Sequence, residues 1–459
     1  MTDICEKLAK LAAEHADECD GFELEESCES CLEVVATSDS LGGTTYELNE
    51  KYMRCAGSRV GYARAEGDGA SIEELVDETL QQSRIVDASE PAGVLVAPDR
   101  EEAAVLPEVQ ALPDAAKLAG IARHAVSLLE SRARRHRAVR CIVRTLDQRR
   151  LVSNSLGLSR ACSHRHTLVL LTYIAPGERE MHNVVVRSYA EDSSDIDVAE
   201  LVSRAILMGE GSLDGGTIES GKYPVVISGE VMCQMLVGFW QLFSAEKVAT
   251  GQSYLNGMLD KRVGSEALTI RDGSVPRWGG PGCLAIDAQG VPRLEHDVVR
   301  SGIFVSPLAT AEWAGELGLG ASTGDCGRRD TLGRIVPNDL TVVPGNLCIV
   351  PGNNDIDALF SAMGDGVYIT DIDDVYHSFN LASGGISTPV RGIRVRNGRL
   401  AEPLSALSIS SNLKELFANV SARGDKVSWV DLEDLNAYWC GSPDILVSSL
   451  GLVGAMETH

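Results

Sequence analysis

EKVATGQSYLNGMLDKRVGSEALTIRDG (residues 246–273), CLAIDAQGVP (283–292) and VVRSGIFVSPLATAEWAGELGLGASTGD (298–325) decide how this chain is read. Short strand-like runs are cut by glycines, and one short helical stretch interrupts them. Such punctuation suits a sheet made of hairpins better than alternating strand–helix units. Working outward, strands are expected at 224–228, 267–270, 297–305, 341–343, 347–350 and 366–371. Helices are expected at 230–243, 309–317 and 413–420. Residues 393–400 (IRVRNGRL) carry Asn397-Gly398, the pair that suits a two-residue hairpin turn. The region 222–459 therefore reads as a curved or barrel-like antiparallel sheet domain with a few helices.

The first half has another character. Helical spacing marks 2–19, 114–135 and 195–208, and Ser71 with Glu74 three residues on forms a capping-box pattern ahead of a further helix. Short, mainly antiparallel strands are expected at 31–37, 59–64, 141–144, 148–153, 167–174 and 182–188, with Asn154–Gly157 as a turn. Residues 86–112 hold three prolines (Pro91, Pro98 and Pro107) and read as a connecting segment, a candidate sub-boundary. The Gly-rich stretch 209–221 closes an N-terminal domain over 1–221. The fold class expected for the whole is α+β.

At 459 residues, with 44% hydrophobic and 23% charged side chains, the chain is globular and long enough for more than one core. Its formal net charge of −25 repels phosphate backbones, and the most basic run, RARRHRAVR (132–140), falls at a helix end where it complements the helix dipole. No nucleic-acid partner is expected. The N-terminus lacks a basic segment leading into an apolar one, and no apolar run reaches the roughly 18–20 residues a bilayer requires. A soluble, cytoplasmic protein with no membrane partner is the expectation. Twelve scattered cysteines fit a reducing compartment, most of them as small buried hydrophobes.

Several constellations bear on chemistry. A helical zinc peptidase site needs His and Glu adjacent and a second His one turn on, so that two imidazoles share a face and the carboxylate serves as base. None of the nine histidines precedes a glutamate and no two lie four apart. Cys28-x-x-Cys31 reads as half a metal site, a redox pair or, more simply, packing. Cys162, His164 and His166 alternate on one strand face and are either ligands for zinc or copper, or packing residues. Ser253, Ser322, Ser378 and Ser383 lie near glycines, without the G-x-S-x-G elbow of a serine nucleophile. His296 between Glu295 and Asp297, His377, and Asp325-Cys326 are weaker signals.

In order along the chain, NSLG (154–157), PVVIS (224–228), GQSYLNG (251–257), IDAQGVP (286–292), RSGIF (300–304), ASTGD (321–325), GDGVYI (364–369) and SGGI (383–386) resemble the TldD/PmbA family, as do NLKELFANV and GSPDILVSSLGLVG near the end. The resemblance implies a two-domain subunit whose C-terminal sheet pairs with a second subunit to enclose a chamber. In the family's zinc-bearing subunit, a helix after the first strand of this domain supplies two His and a Glu, and a Cys in a Cys-Gly context follows. The matching helix here, GEVMCQMLVGFWQLFSAEKV (229–248), offers Glu230 and Cys233; the downstream YHSFNLASGG (376–385) offers Ser378 and Ser383.

The resemblance thus implies a PmbA/TldE-like subunit with no catalytic residue, metal or cofactor of its own. Zinc would reside in a TldD-like partner. Substrates would be unfolded or flexible peptides, including precursors of ribosomally made peptide natural products. By position in matching motifs, Ser253, Ser322, Thr323, Ser383 and Gly384 would line the chamber. The family's older label as a modulator of DNA gyrase does not imply DNA binding. Two other readings stay open: a stand-alone homodimeric binding or scaffold protein of the same fold, and an enzyme rebuilt from Cys162, His164 and His166 or from His296 and His377.

Overall fold

The computed structural model describes residues 4–454 except 68, 100–103, 105, 109–110, 179, 212, 276, 329–338 and 432–437. The first part runs α1 (Ile4–Glu14), β1 (Gly21–Thr37), β2 (Leu41–Ala56), β3 (Gly61–Glu66), α2 (Ile72–Ile85), α3 (Ala115–Arg132), β4 (Arg137–Asn154), β5 (Ser159–Pro176), β6 (Met181–Ala190) and α4 (Val198–Gly211). Its strands form one antiparallel sheet in the order β3-β2-β1-β4-β5-β6. Ser71 caps α2 as a full capping box with Glu74. Asp114 caps α3 by accepting from the Ala116 amide, 3.0 Å away. Leu118, Ala122, Ala125, Val126 and Leu129 then fall on one face of α3 and pack on Leu32, Val34, Val143 and Val169 of the sheet.

The second part runs β7 (Gly221–Ile227), α5 (Gly229–Phe239), α6 (Ala245–Ala249), β8 (Ile270–Asp272), β9 (His296–Arg300), β10 (Ile303–Phe304), α7 (Ala311–Glu316), β11 (Cys326–Arg328) and β12 (Leu340–Val342). There follow β13 (Asn346–Ile349), α8 (Ile356–Met363), β14 (Gly366–Ile372), β15 (Phe379–Asn380), β16 (Gly385–Arg396), β17 (Arg399–Asn412), α9 (Leu413–Ala418), β18 (Val420–Asp431) and β19 (Trp439–Gly454). All but β11 and β12 belong to one sheet. The path β19-β17-β16-β14-β7 curls round until β7 pairs with β19 again. The α+β class and the curled sheet agree with the expectation from sequence. That sheet is not wholly antiparallel, since β7 runs parallel to β14 and β13 runs parallel to β19.

Within this frame the hairpin at 397–398 forms as expected, with φ of 48° at Asn397 and 71° at Gly398. The strand expected over 297–305 folds back at Ser301-Gly302 to give β9 and β10. The strands expected at 141–144 and 148–153 are one strand, β4, and that expected at 31–37 begins ten residues earlier. The long strands β2, β18 and β19 are additions. Their segments mix glycine, polar and apolar residues without a clean alternation, because different stretches of each strand face different neighbours.

Candidate functional site

Helix α5 follows β7, the first strand of the second part, and carries Glu230 and Cys233. Ser228 caps it, accepting from the Val231 amide at 3.3 Å. Apolar side chains surround the helix: Val231, Met232, Met235, Leu236, Val237 and Phe239 are all buried. Such a helix belongs inside a core. Its two candidate donors are already committed. Glu230 lies 3.1 Å from the Arg204 guanidinium of α4 and 3.8 Å from that of Arg187 on β6. Burial nonetheless raises its carboxyl above the ordinary range. The Cys233 thiol donates to the Ser428 carbonyl at 2.9 Å, and burial pushes it far above a reactive value.

The end of α5 is filled by aromatic rings. Phe239 meets Phe379 and Phe417 edge-on, with centroids 5.4 Å and 5.6 Å away. A β-carbon at Gly238 would sit 2.5 Å from the Phe379 ring and 2.6 Å from the Val375 carbonyl. Zinc needs three protein donors converging on an open, wetted position. The residues present on α5 do not fit it. Among the described residues, no group of three His, Cys, Asp or Glu is arranged to hold a metal ion.

The structure separates the five sequence-predicted residues into two places. Ser253, Ser383 and Gly384 gather beside Tyr254: the Tyr254 amide donates to the Leu381 carbonyl at 3.0 Å, and the Leu413 amide at the start of α9 donates to that of Gly384 at 2.6 Å. Lys414 lies over the Tyr254 ring, 5.0 Å from its centroid. Ser383 is exposed, but Ser253 is buried and its hydroxyl bridges the Leu242 carbonyl (2.7 Å) and the Leu255 amide (3.1 Å). Ser322 and Thr323 sit in another loop, where both hydroxyls donate to the Ala309 carbonyl. Thr323 also stands 2.6 Å from Asp325.

The weaker signals lie in separate surroundings. Cys28 and Cys31 are three residues apart on the extended strand β1, so they project from opposite faces. His164 and His166 share a face, as expected, and their rings stack with centroids 5.7 Å apart. His166 is fully buried against Trp439, and burial lowers its pKa to about 3, which leaves it neutral. Cys326 is buried with its thiol raised far out of the reactive range, chiefly by desolvation. His377 is exposed and pairs with Asp374 at 2.8 Å.

A buried polar seam between the two sheets was not legible in the sequence. Arg54 of β2 is held by Glu23 of β1 (3.1 Å) and by Glu312 of α7 (2.6 Å), and Gln289 also donates to Glu312. Glu25 binds Arg150 of β4 and Arg328 of β11, each at 2.8 Å. His182 of β6 meets Asp371 of β14 at 2.5 Å. Beside Arg54 opens a cleft of about 380 Å³, lined among others by Tyr62, Gln82, Glu90, Glu312 and Trp313. Single charged residues scattered over 300 positions carry no local signal of this assembly.

With this geometry in place, residues 220–454 match the model of the PmbA/TldA metallopeptidase C-terminal domain. The chain belongs to the PmbA/TldD family. It is similar to the metalloprotease PmbA of Escherichia coli O157:H7, 24% identical over 307 residues that cover 66% of this chain and 62% of that protein. A metalloprotease of Methanothermobacter thermautotrophicus is 28% identical over 197 residues, covering 39% of this chain and 37% of its own length. The matched stretches thus span less than two thirds of these relatives. The fold is also that of TldE from Thermococcus kodakarensis, with a TM-score of 0.81 at 16% identity, over 97% of this PmbA/TldD chain and 99% of the other.

Proposed function

We propose that this chain is the metal-free, PmbA/TldE-like subunit of a TldD-type zinc metallopeptidase. A zinc-bearing partner of similar size supplies metal, water and general base. This chain supplies wall, shape and backbone hydrogen bonds to a chamber for unfolded or flexible peptides. The observation that carries the reading is the state of α5: Glu230 is ion-paired to Arg204, the Cys233 thiol is bonded to a carbonyl, and the helix end is closed by Phe379. A helix so committed supports a structural role at the position where the catalytic subunit works. Ser383, exposed beside Tyr254, is the chain's first candidate for meeting substrate, with the buried Gly384 next to it; Ser322 and Thr323 are second, and Ser253 supports the rim from beneath. The proposal takes 1–221 and 222–459 as its domains, in keeping with the change of sheet after β6, and the cytoplasm as its site of action.

Native mass spectrometry of the protein isolated from its own host tests this directly. The expected result is a complex holding this chain and a chain of similar size in equal numbers, with one zinc in each companion chain. A metal-free homodimer with no such companion would overturn it and favour the independent binding protein.

A further inference from the structure

Strand β3 ends the first sheet but covers only the second half of β2, over residues 50–55, so the first half of β2 is itself an edge. The first half, residues 41–49, is exposed at every position. It reads LGGTTYELN, with one charge, no proline and an unbroken register against β1. Leu41, Tyr46 and Leu48 are 40%, 43% and 37% exposed. Free edges in natural sheets are ordinarily blunted by charge, proline, a bulge or a covering element. This edge has almost none of these protections.

The hairpin fixes which backbone groups point outward. The Thr37 amide donates to the Ser40 carbonyl across the turn, and the Asn49 carbonyl accepts from Gly67 on the outer side. Alternation along an antiparallel ladder then turns the N–H and C=O groups of Leu41, Gly43, Thr45 and Glu47 toward the open edge. We infer that this edge pairs with the same edge of a second copy of the chain, antiparallel about a two-fold axis at Thr45, to make one sheet across two subunits.

The register follows from the side chains. An axis at Glu47 would set like charges opposite each other, and one at Gly43 would run into the hairpin loop after two residues. The axis at Thr45 uses the whole open stretch. It sets Thr45 opposite Thr45, Thr44 opposite Tyr46, Gly42 opposite Leu48 and Gly43 opposite Glu47. Each glycine thus faces a larger side chain, the β-branched and aromatic residues face each other, and the acids are kept apart. The two copies would exchange backbone bonds at Thr45 and at the Gly43 and Glu47 pairs.

The test uses the purified full chain. Thr45→Pro deletes an outward amide and leaves those facing β1 intact, and Thr45→Lys opposes two ammonium groups on the axis. Light scattering should show each variant, folded by circular dichroism, with half as many copies per particle as the wild type. Thr45→Cys should cross-link to itself on mild oxidation, as paired α-carbons about 5.5 Å apart allow, while the wild type does not. Equal copy number in wild type and both variants overturns the inference. So does a Thr45→Cys chain that stays un-cross-linked, an outcome that would leave the edge to another occupant such as an extended peptide.

Discussion

Arg54 of β2 and Glu312 of α7 are 258 residues apart in the chain and meet at 2.6 Å in the fold. The guanidinium is fully buried, and Glu23 and the Val94 carbonyl take its remaining directions. This one contact ties the first sheet to the helix that follows the β9–β10 hairpin. Removing one member of a buried pair strands the other charge, which costs about 3–5 kcal/mol. Arg54→Ala should therefore lower the stability of the chain by an amount in that range, read from the denaturant midpoint at constant slope. A loss below about 1 kcal/mol would mean that the seam does not hold the parts together.

Glu23 and Glu312 compete for that guanidinium, and their environments push them in opposite directions. Burial raises the Glu23 carboxyl from 4.5 to about 7 despite the attraction of Arg54. Glu312 is buried too, but Arg54 outweighs that cost and holds its carboxyl low. The folded state thus binds a proton at Glu23 more readily than the unfolded chain does. The associated stability is fully present below pH 4.5 and is lost as pH rises through 7, on the order of 3 kcal/mol over that window. Glu23→Gln should flatten the fall in stability between pH 5 and 7.5 relative to the wild type; parallel curves would count against the assignment.

The capping box on α2 makes a local prediction. The Glu74 amide donates to the Ser71 hydroxyl at 3.2 Å, and the Glu74 carboxylate accepts from the Ser71 amide at 2.8 Å. Ser71→Ala should cost about 1 kcal/mol, measured by thermal or urea unfolding, with Ser71→Asp recovering most of it.

Metal dependence separates this chain from its expected partner. With Glu230 and Cys233 engaged, neither added zinc nor a chelator should move the Tm of the isolated chain by more than about 1 °C, since only a ligand that binds the native state shifts stability. A Tm raised several degrees by stoichiometric zinc would contradict the reading of α5.

Ser253 and Ser383 should respond differently to the same change. Ser253→Ala leaves a buried carbonyl and a buried amide without their partner, which costs about 1–3 kcal/mol. Ser383→Ala on the exposed rim should leave stability within about 0.5 kcal/mol of wild type. If the rim meets peptide, Ser383→Ala should weaken peptide binding by the assembled complex severalfold in an anisotropy titration. Unchanged binding would remove Ser383 from the substrate surface.

What the sequence determined by itself is local or ordered along the chain. Ser71 with Glu74, Asp114, and Asn397-Gly398 are legible because a cap or a turn is decided by residues two to four positions apart. The succession of motifs from 154 to 386 was enough to give the family, and the absence of any His-Glu pair was plain without a structure. What only the tertiary structure decided depends on partners far apart in the chain. In ELEESCES (23–30), Glu23 and Glu25 are buried because Arg54, Arg150 and Arg328 converge on them, and no residue near them in the chain announces it. Glu230 and Cys233, with no histidine beside them, read in the sequence as part of a core helix, but only the fold places Arg204 and the Ser428 carbonyl against them. Likewise LGGTTYELN gives no sign of being a strand until β1 lies beside it, because an edge takes its shape from the neighbour that templates its backbone.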